Sequence, residues 1–342
     1  GDEFVILLTG LTDDNYSTRL AERILDAVKP AFKIDKHEIQ SSFSIGIALY
    51  PKDGRDIETL FKNADSAMYR AKKQGKNSYF VHDPQILSEA QSRLNLKSLL
   101  DKALDNENFV LNYQAKADIK TGEIQRLQVL LRMDDPERGL VLPEEFMPIA
   151  EESGLIVPIG DWVLQSVCRQ IKSWKEEGVP VLPVSINLCR EQLLQEKLTH
   201  KVESCLKSFN LPPEMFEFEF PESALLETSE YKNLMELHEF GAKLALDNFG
   251  VGTSSLKNLS RVPLCALNID AELIQGFSDK INSSIINASI AIGKSLKIKT
   301  VAKGVETSAQ KEWVAQSGCD WAQGYLIGNP EFAEKLKPIL KE

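Results

Sequence analysis

The sequence predicts an α/β protein: a (β/α)8 TIM-like barrel preceded by a smaller α/β segment and a connecting helix. Three observations predict it. From Phe109 onward eight short apolar runs recur, nearly all separated by helical patterns. Before about residue 85 the pattern differs, with two strand-like runs and one amphipathic helix. Between the two regions, Leu87, Leu94, Leu96, Leu99, Leu100 and Leu104 mark a long helix. The expected boundaries are 1–84, a linker helix over 85–108, and a barrel over 109–342, and a length of 342 residues suits two domains.

Each element has its own signal. Phe4 to Leu8 is an apolar run ending at Thr9-Gly10 and reads as a buried strand. Phe43, Ile45, Ile47 and Leu49 alternate with smaller residues as a second strand, which Pro51-Lys52-Asp53-Gly54 ends with turn chemistry. Ile57, Leu60, Phe61, Ala64, Ala67, Met68 and Ala71 fall on one helical face, with Asp56 as the N-cap. The barrel strands are expected at Val110–Tyr113, Arg126–Met133, Leu182–Leu188, Phe216–Phe220, Lys243–Asp247, Ala266–Ile269, Thr300–Ala302 and Trp321–Tyr325. Helical spacing, as in Trp162, Val163, Val167, Ile171 and Trp174, fills most of the gaps. A doubly wound open sheet would need a GxGxxG-type loop after an early strand, and none is present.

Composition narrows the function classes. Forty basic against fifty acidic residues give a formal charge of −10, with no basic tract, which argues against a nucleic-acid polymer as partner. A small anionic ligand held by a few local cations remains open. No uncharged apolar run approaches the length of a membrane span, so no membrane contact is expected within the chain. Five scattered cysteines without a CxxC pair argue against a disulfide framework or zinc ribbon and for the cytoplasm. The start, Gly1-Asp2-Glu3-Phe4, has no Met or basic n-region and is expected to continue a longer polypeptide.

In a barrel, chemistry gathers where strands end. Those ends carry Gln128, Arg132, Asn187, Glu219, Glu222, Asp247, Asn248, Asn268, Asp270, Lys303, Glu306 and Gln323. Singly each reads as a loop start or helix cap; together they read as a site.

The first region resembles the C-terminal half of a GGDEF (diguanylate cyclase) domain, on Gly1-Asp2-Glu3-Phe4, Ser44-Ile45-Gly46-Ile47-Ala48, Ala64-Asp65-Ser66-Ala67-Met68-Tyr69-Arg70-Ala71-Lys72 and Gly75-Lys76-Asn77. The second resembles an EAL (cyclic di-GMP phosphodiesterase) domain throughout. Its matches include Tyr113-Gln114, Leu130-Leu131-Arg132, Pro136-Glu137-Arg138-Gly139-Leu140, Ala150-Glu151-Glu152-Ser153-Gly154-Leu155-Ile156, Gly304-Val305-Glu306-Thr307 and Gln323-Gly324-Tyr325.

Departures from the EAL pattern set the expected function. The EAL triplet stands as Gln128-Val129-Leu130, so a metal-binding Glu is an amide, and the paired aspartates stand as Asp247-Asn248. The Lys of Lys-Ile-Asp is Asn268, and the Glu that activates water in the family is Lys303. The resemblance implies a family centre of five carboxylates and one lysine. Here two carboxylates, Glu219 and Asp247, face one lysine. Two divalent cations need several anionic oxygens, and an ammonium cannot act as general base. The expectation is therefore no catalytic residue, and Mg2+ or Mn2+ binding lost.

The resemblance implies that a ligand site survives this loss. Its expected residues are Gln128, Leu130, Arg132, Asn187, Glu219, Asp247, Asn248, Lys303, Glu306 and Gln323, with Glu222 supporting the loop Gly250-Val251-Gly252-Thr253-Ser254-Ser255. Arg132 and Lys303 would meet phosphate charge. Against this, Cys189-Arg190-Glu191-Gln192 replaces the family's Ser-Pro-Arg-Gln and shifts a basic contact. Glu3, Lys72 and Lys76 match phosphate- and metal-handling cyclase positions, as vestiges of a site whose first half is absent from this sequence. The leading expectation is a catalytically inactive cyclic di-GMP receptor and regulatory module, as in FimX-like degenerate tandem proteins. Its partners would be cyclic di-GMP, a protein effector and, through the loop, a second copy. The alternatives are a nucleotide-independent scaffold, with Glu219 and Asp247 paired to Lys303 as a salt-bridged plug, and a weak phosphodiesterase.

Overall fold

The computed structural model describes residues 4–10, 16–29, 32–34, 37–39, 42–73, 77–106, 108–225, 228–251, 259 and 261–341. The chain divides into two compact units, Gly1–Asn95 and Leu96–Glu342.

In the first unit, strand Ser44–Ile47 pairs in parallel with Ser78–Val81, and helix Ile57–Lys73 covers them. Asp56 caps that helix as expected, one carboxylate oxygen accepting the Thr59 amide at 2.8 Å and the other its hydroxyl at 2.8 Å. Gly46 permits the close packing, because a Cβ there would lie 1.9 Å from the Ala64 carbonyl oxygen. Phe32–Ile34 and His37–Ile39 form a short antiparallel pair that hydrophobic pattern alone does not announce. One expectation fails here. Phe4 to Leu7 is 61 to 85% exposed and joins no ladder among the described residues. An apolar run becomes a strand only when a neighbour supplies its backbone hydrogen bonds.

The second unit is an eight-stranded closed barrel. Its strands are β1 (Phe109–Asp118), β2 (Ile124–Asp135), β3 (Val184–Asn187), β4 (Phe216–Pro221), β5 (Lys243–Phe249), β6 (Ala266–Ile269), β7 (Lys299–Ala302) and β8 (Trp321–Ala322). Each pairs with the next, and β8 returns to β1. All eight lie where the apolar runs place them. Two details differ. β1 runs antiparallel to both β2 and β8, so the barrel is not wholly parallel. The cause is the five-residue turn after β1, where Asp118 Oδ1 accepts the amides of Lys120 at 2.9 Å and Thr121 at 3.0 Å. Five residues suffice for a hairpin, whereas a parallel crossover needs a dozen or more. β8 also stops at Ala322 rather than Tyr325, because the chain turns at Gly324, where a Cβ would meet the Val305 backbone at 2.2 Å.

Strand alternation sorts the barrel residues. In β4, Phe216, Phe218 and Phe220 pack into the main hydrophobic core, while Glu217 and Glu219 take the opposite face. Ala245, Ala266, Val301 and Trp321 form a separate small apolar cluster on β5 to β8. Lys116, Ser185 and Glu217 answer it from β1, β3 and β4 as a buried polar cluster. No helix among the described residues is long and apolar enough to cross a membrane.

Candidate functional site

Register places the polar residues side by side. Gln114 on β1 lies opposite Gln128 on β2, Gln128 beside Ser185 on β3, and Asn187 beside Glu219 on β4. Asn268 on β6 lies beside Val301 on β7, two residues before Lys303.

Glu219 sits at the centre, its side chain fully buried. Its Oε1 is held by the ammonium of Lys116, which is equally buried. Its Oε2 accepts from Lys303 Nζ at 2.9 Å and from Gln128 Nε2 at 2.8 Å. Lys303 also donates to Asp247 Oδ1, which receives the Asn268 amide at 3.4 Å. Gln128 Nε2 further reaches Asn187 Oδ1 at 2.9 Å. One layer deeper, Glu217 accepts from Ser185 Oγ at 2.6 Å and Lys116 Nζ at 3.4 Å, pairs with Arg126 Nε at 3.1 Å, and takes the Cys265 thiol at 3.1 Å.

Three carboxylates, Glu217, Glu219 and Asp247, therefore meet three cations, Lys116, Arg126 and Lys303, and the cluster is formally neutral. Counting only Glu219, Asp247 and Lys303 leaves one net negative charge, and Lys116 corrects that count. Burial alone would raise the Glu219 carboxyl, but Lys116 and Lys303 outweigh it and hold the group below the usual carboxylate range. Burial would likewise lower the Lys303 ammonium, yet Glu219 and Asp247 hold it above its ordinary value. Of the four buried side-chain amide oxygens without a donor among the described residues, three belong to this group, Gln128 Oε1, Asn268 Oδ1 and Gln323 Oε1, and the fourth is Asn112 Oδ1.

The remaining expected residues lie around this core. Leu130, Asn187, Glu219, Asp247 and Asn248 line a cavity of about 300 Å³, which continues along Ile159, Leu164, Leu198 and Val202. Asn248 adopts a left-handed conformation, φ 52°, which asparagine tolerates. Gln323 is buried and donates to Gln114 Oε1 at 3.0 Å. Arg132 donates to its neighbour's carbonyl, Leu131 O, at 2.7 Å. Glu306 is exposed and accepts from Gln275 at 3.4 Å. Glu222 is buried at the head of the 3-10 turn Glu222–Leu225. Val251 is exposed, and the loop from Gly252 to Ser255 lies outside the described residues. Lys72 is exposed in the first unit, while Glu3 and Lys76 also lie outside the described residues.

The shifted basic residue has a protein partner. Arg190, one position before the arginine expected there, donates through Nε to the buried Glu230 at 2.9 Å. Glu191 instead faces Glu151 and Cys189. Burial, and then repulsion from Glu191, raises the Glu151 carboxyl.

Sequence reading missed Lys116 and Glu217. The available signal was parity: Glu217 is two residues from the expected Glu219, and Lys116 is two from Gln114 of the Tyr113-Gln114 match, so each shares a face with a residue already singled out.

The chain matches the EAL domain model over residues 98–330 and the model for the diguanylate cyclase, GGDEF domain over residues 1–78. It is 38% identical over 339 residues to the bifunctional diguanylate cyclase/cyclic di-GMP phosphodiesterase MucR of Pseudomonas aeruginosa, covering 98% of this chain and 49% of that protein. The chain spans half or less of the length of such curated relatives. Its fold matches the PaMucR phosphodiesterase in complex with c-di-GMP at TM-score 0.68 and 36% identity, over 71% of this chain and 99% of that one. It also matches the FimX EAL domain from Pseudomonas aeruginosa bound to c-di-GMP at TM-score 0.62 and 24% identity, over 69% and 96% of the two chains, a likeness of fold. The chain belongs to the EAL domain family, with part of a GGDEF domain ahead of the barrel.

Proposed function

We propose that the barrel is a catalytically inactive receptor for cyclic di-GMP that works as a regulatory module for a protein effector. The observation that carries this reading is the capture of both Glu219 oxygens and Asp247 Oδ1 by ammonium groups. Magnesium and manganese need hard anionic oxygens, and two such ions need several to offset their mutual repulsion. A cluster whose three carboxylates are already balanced by three cations does not fit them. Lys303, held protonated by its partners, cannot take a proton from water.

Recognition survives this loss on two grounds. Lys303 and Arg132 carry positive charge for a ligand with two phosphates, and a phosphate entering the mouth would compete with Asp247 for the Lys303 ammonium. Leu130, Asn187 and Asn248 line the cavity beside the charged cluster and offer apolar and polar contacts to a base. The MucR structure, a c-di-GMP complex by its own description, supports the same ligand class. A second reading, a nucleotide-independent scaffold, is favoured by Arg132 and Arg190 both turning to protein acceptors.

Calorimetry with cyclic di-GMP in EDTA tests the proposal. The expected result is saturable binding near one per chain, weakened in Arg132→Ala, with no linear dinucleotide formed. Absence of heat up to high micromolar ligand defeats it and favours the scaffold.

A further inference from the structure

Away from the barrel mouth, two thiols meet. Cys168 in helix Ile156–Glu176 and Cys205 in helix Leu198–Ser208 bring their sulfurs to 3.7 Å. Cys168 is buried and Cys205 partly exposed. The other cysteines have different company: Cys265 donates to Glu217, Cys319 to the Thr300 and Trp321 carbonyls, and Cys189 lies by Glu151 and Glu191. A disulfide needs about 2.05 Å between sulfurs, so side-chain rotation must close roughly 1.7 Å.

We propose that Cys168 and Cys205 form a peroxide-sensitive disulfide site that staples these two helices. The same helices carry the Asp161–Lys201 ion pair at 2.7 Å, so they are already held in contact. One turn before each cysteine stand Leu164 and Lys201, and both line the cavity whose other end reaches Glu219 and Asp247. The staple therefore fixes the wall of that cavity. The inference does not rest on nucleotide binding.

The chemistry assigns the two thiols different parts. Hydrogen bonding to Cys205 and burial both push the Cys168 thiol up, while the same contact lowers Cys205 against its own burial and the nearby Asp161. Cys205 is thus the thiol that ionises first and the one solvent reaches. Its thiolate attacks one peroxide oxygen, the O–O bond breaks, and Cys205 becomes a sulfenic acid as hydroxide leaves. Cys168 sulfur then attacks the Cys205 sulfur, the S–S bond forms and the S–O bond breaks. The departing hydroxide leaves as water with the Cys168 proton. Two thiols are oxidised, one peroxide is reduced and two waters form.

The test treats the folded, full chain with stoichiometric hydrogen peroxide, blocks the remaining thiols, and maps unreduced peptides by mass. The expected product is a single intramolecular peptide pair joining Cys168 to Cys205, two hydrogens lighter and reversed by dithiothreitol. The oxidised barrel should unfold several degrees higher than the reduced one. That rise should be absent in Cys205→Ala and in Cys168→Ala, either of which suffices if the other fails to fold. Accumulation of sulfinic acid on Cys205 beside a free Cys168 would overturn the proposal. So would bridges that form equally in the denatured chain, or a product dominated by other cysteine pairs.

Discussion

Lys116→Met isolates the buried charge network. Methionine keeps the apolar stem of lysine and removes the ammonium, so the change is chiefly electrostatic. Glu219 would keep Lys303 at 2.9 Å and Gln128 at 2.8 Å. Glu217 would keep Arg126 at 3.1 Å and Ser185 at 2.6 Å. Removing one partner from a buried pair costs ~3–5 kcal/mol, and because each carboxylate retains a cation the lower end, ~3 kcal/mol, is expected. For a unit of this size that is a fall in Tm of about 6–12 °C, at about 2–4 °C per kcal/mol. All four tryptophans, Trp162, Trp174, Trp313 and Trp321, lie in the barrel unit, so their fluorescence in urea follows that unit alone. Adding Glu219→Gln to Lys116→Met should recover part of the loss, because it removes the charge left exposed to burial. A Lys116→Met transition within about 0.5 kcal/mol of the wild type, a change typical of surface sites, would refute the network as described.

Three further outcomes follow from the same geometry. Glu219 is depressed below its ordinary 4.5, so its stabilisation is whole above that pH and is lost as pH falls further, while Lys303 is raised above 10.5, so its share is whole below that pH and lost as pH rises beyond it. Urea midpoints across pH should therefore show a plateau between these limits, and in Lys303→Met the plateau should be lower and the alkaline fall that Lys303 causes should be absent. Arg132→Ala should weaken cyclic di-GMP binding by about 10–100-fold in calorimetry, the loss of ~1.5–3 kcal/mol expected of a charged hydrogen bond. Gln128→Glu combined with Lys303→Glu should bind Mn2+, detected by loss of the free-ion electron spin resonance signal, at concentrations where the wild type leaves that signal intact.

The barrel was legible because its strands obey local rules. Phe216 to Phe220 alternates, Ala266 to Ile269 is short and apolar, and both lie between helical patterns. Alternation became misleading where both faces of a strand are buried. Glu217 between Phe216 and Phe218 reads as a solvent-facing residue, yet its face is the barrel interior and its charge is met by Lys116 and Arg126. The antiparallel sense of β1 was hidden for a related reason: a five-residue turn announces a hairpin only once its flanks are known to pair. The Phe4 to Leu7 run shows the converse, since hydrophobicity there found no neighbour among the described residues. Gln128, Asn187, Glu219, Asp247, Asn268 and Lys303 were named from strand ends and do form one hydrogen-bonded group. Cys168 and Cys205 stand on separate helices, and only packing brings their sulfurs together.

The most direct measurement is diffraction from crystals soaked in manganese and cyclic di-GMP, with anomalous maps at the barrel mouth. The account predicts intact dinucleotide, Lys303 Nζ still beside Glu219, and no anomalous peak between Glu219 and Asp247. Two manganese peaks there beside a linear product would contradict it.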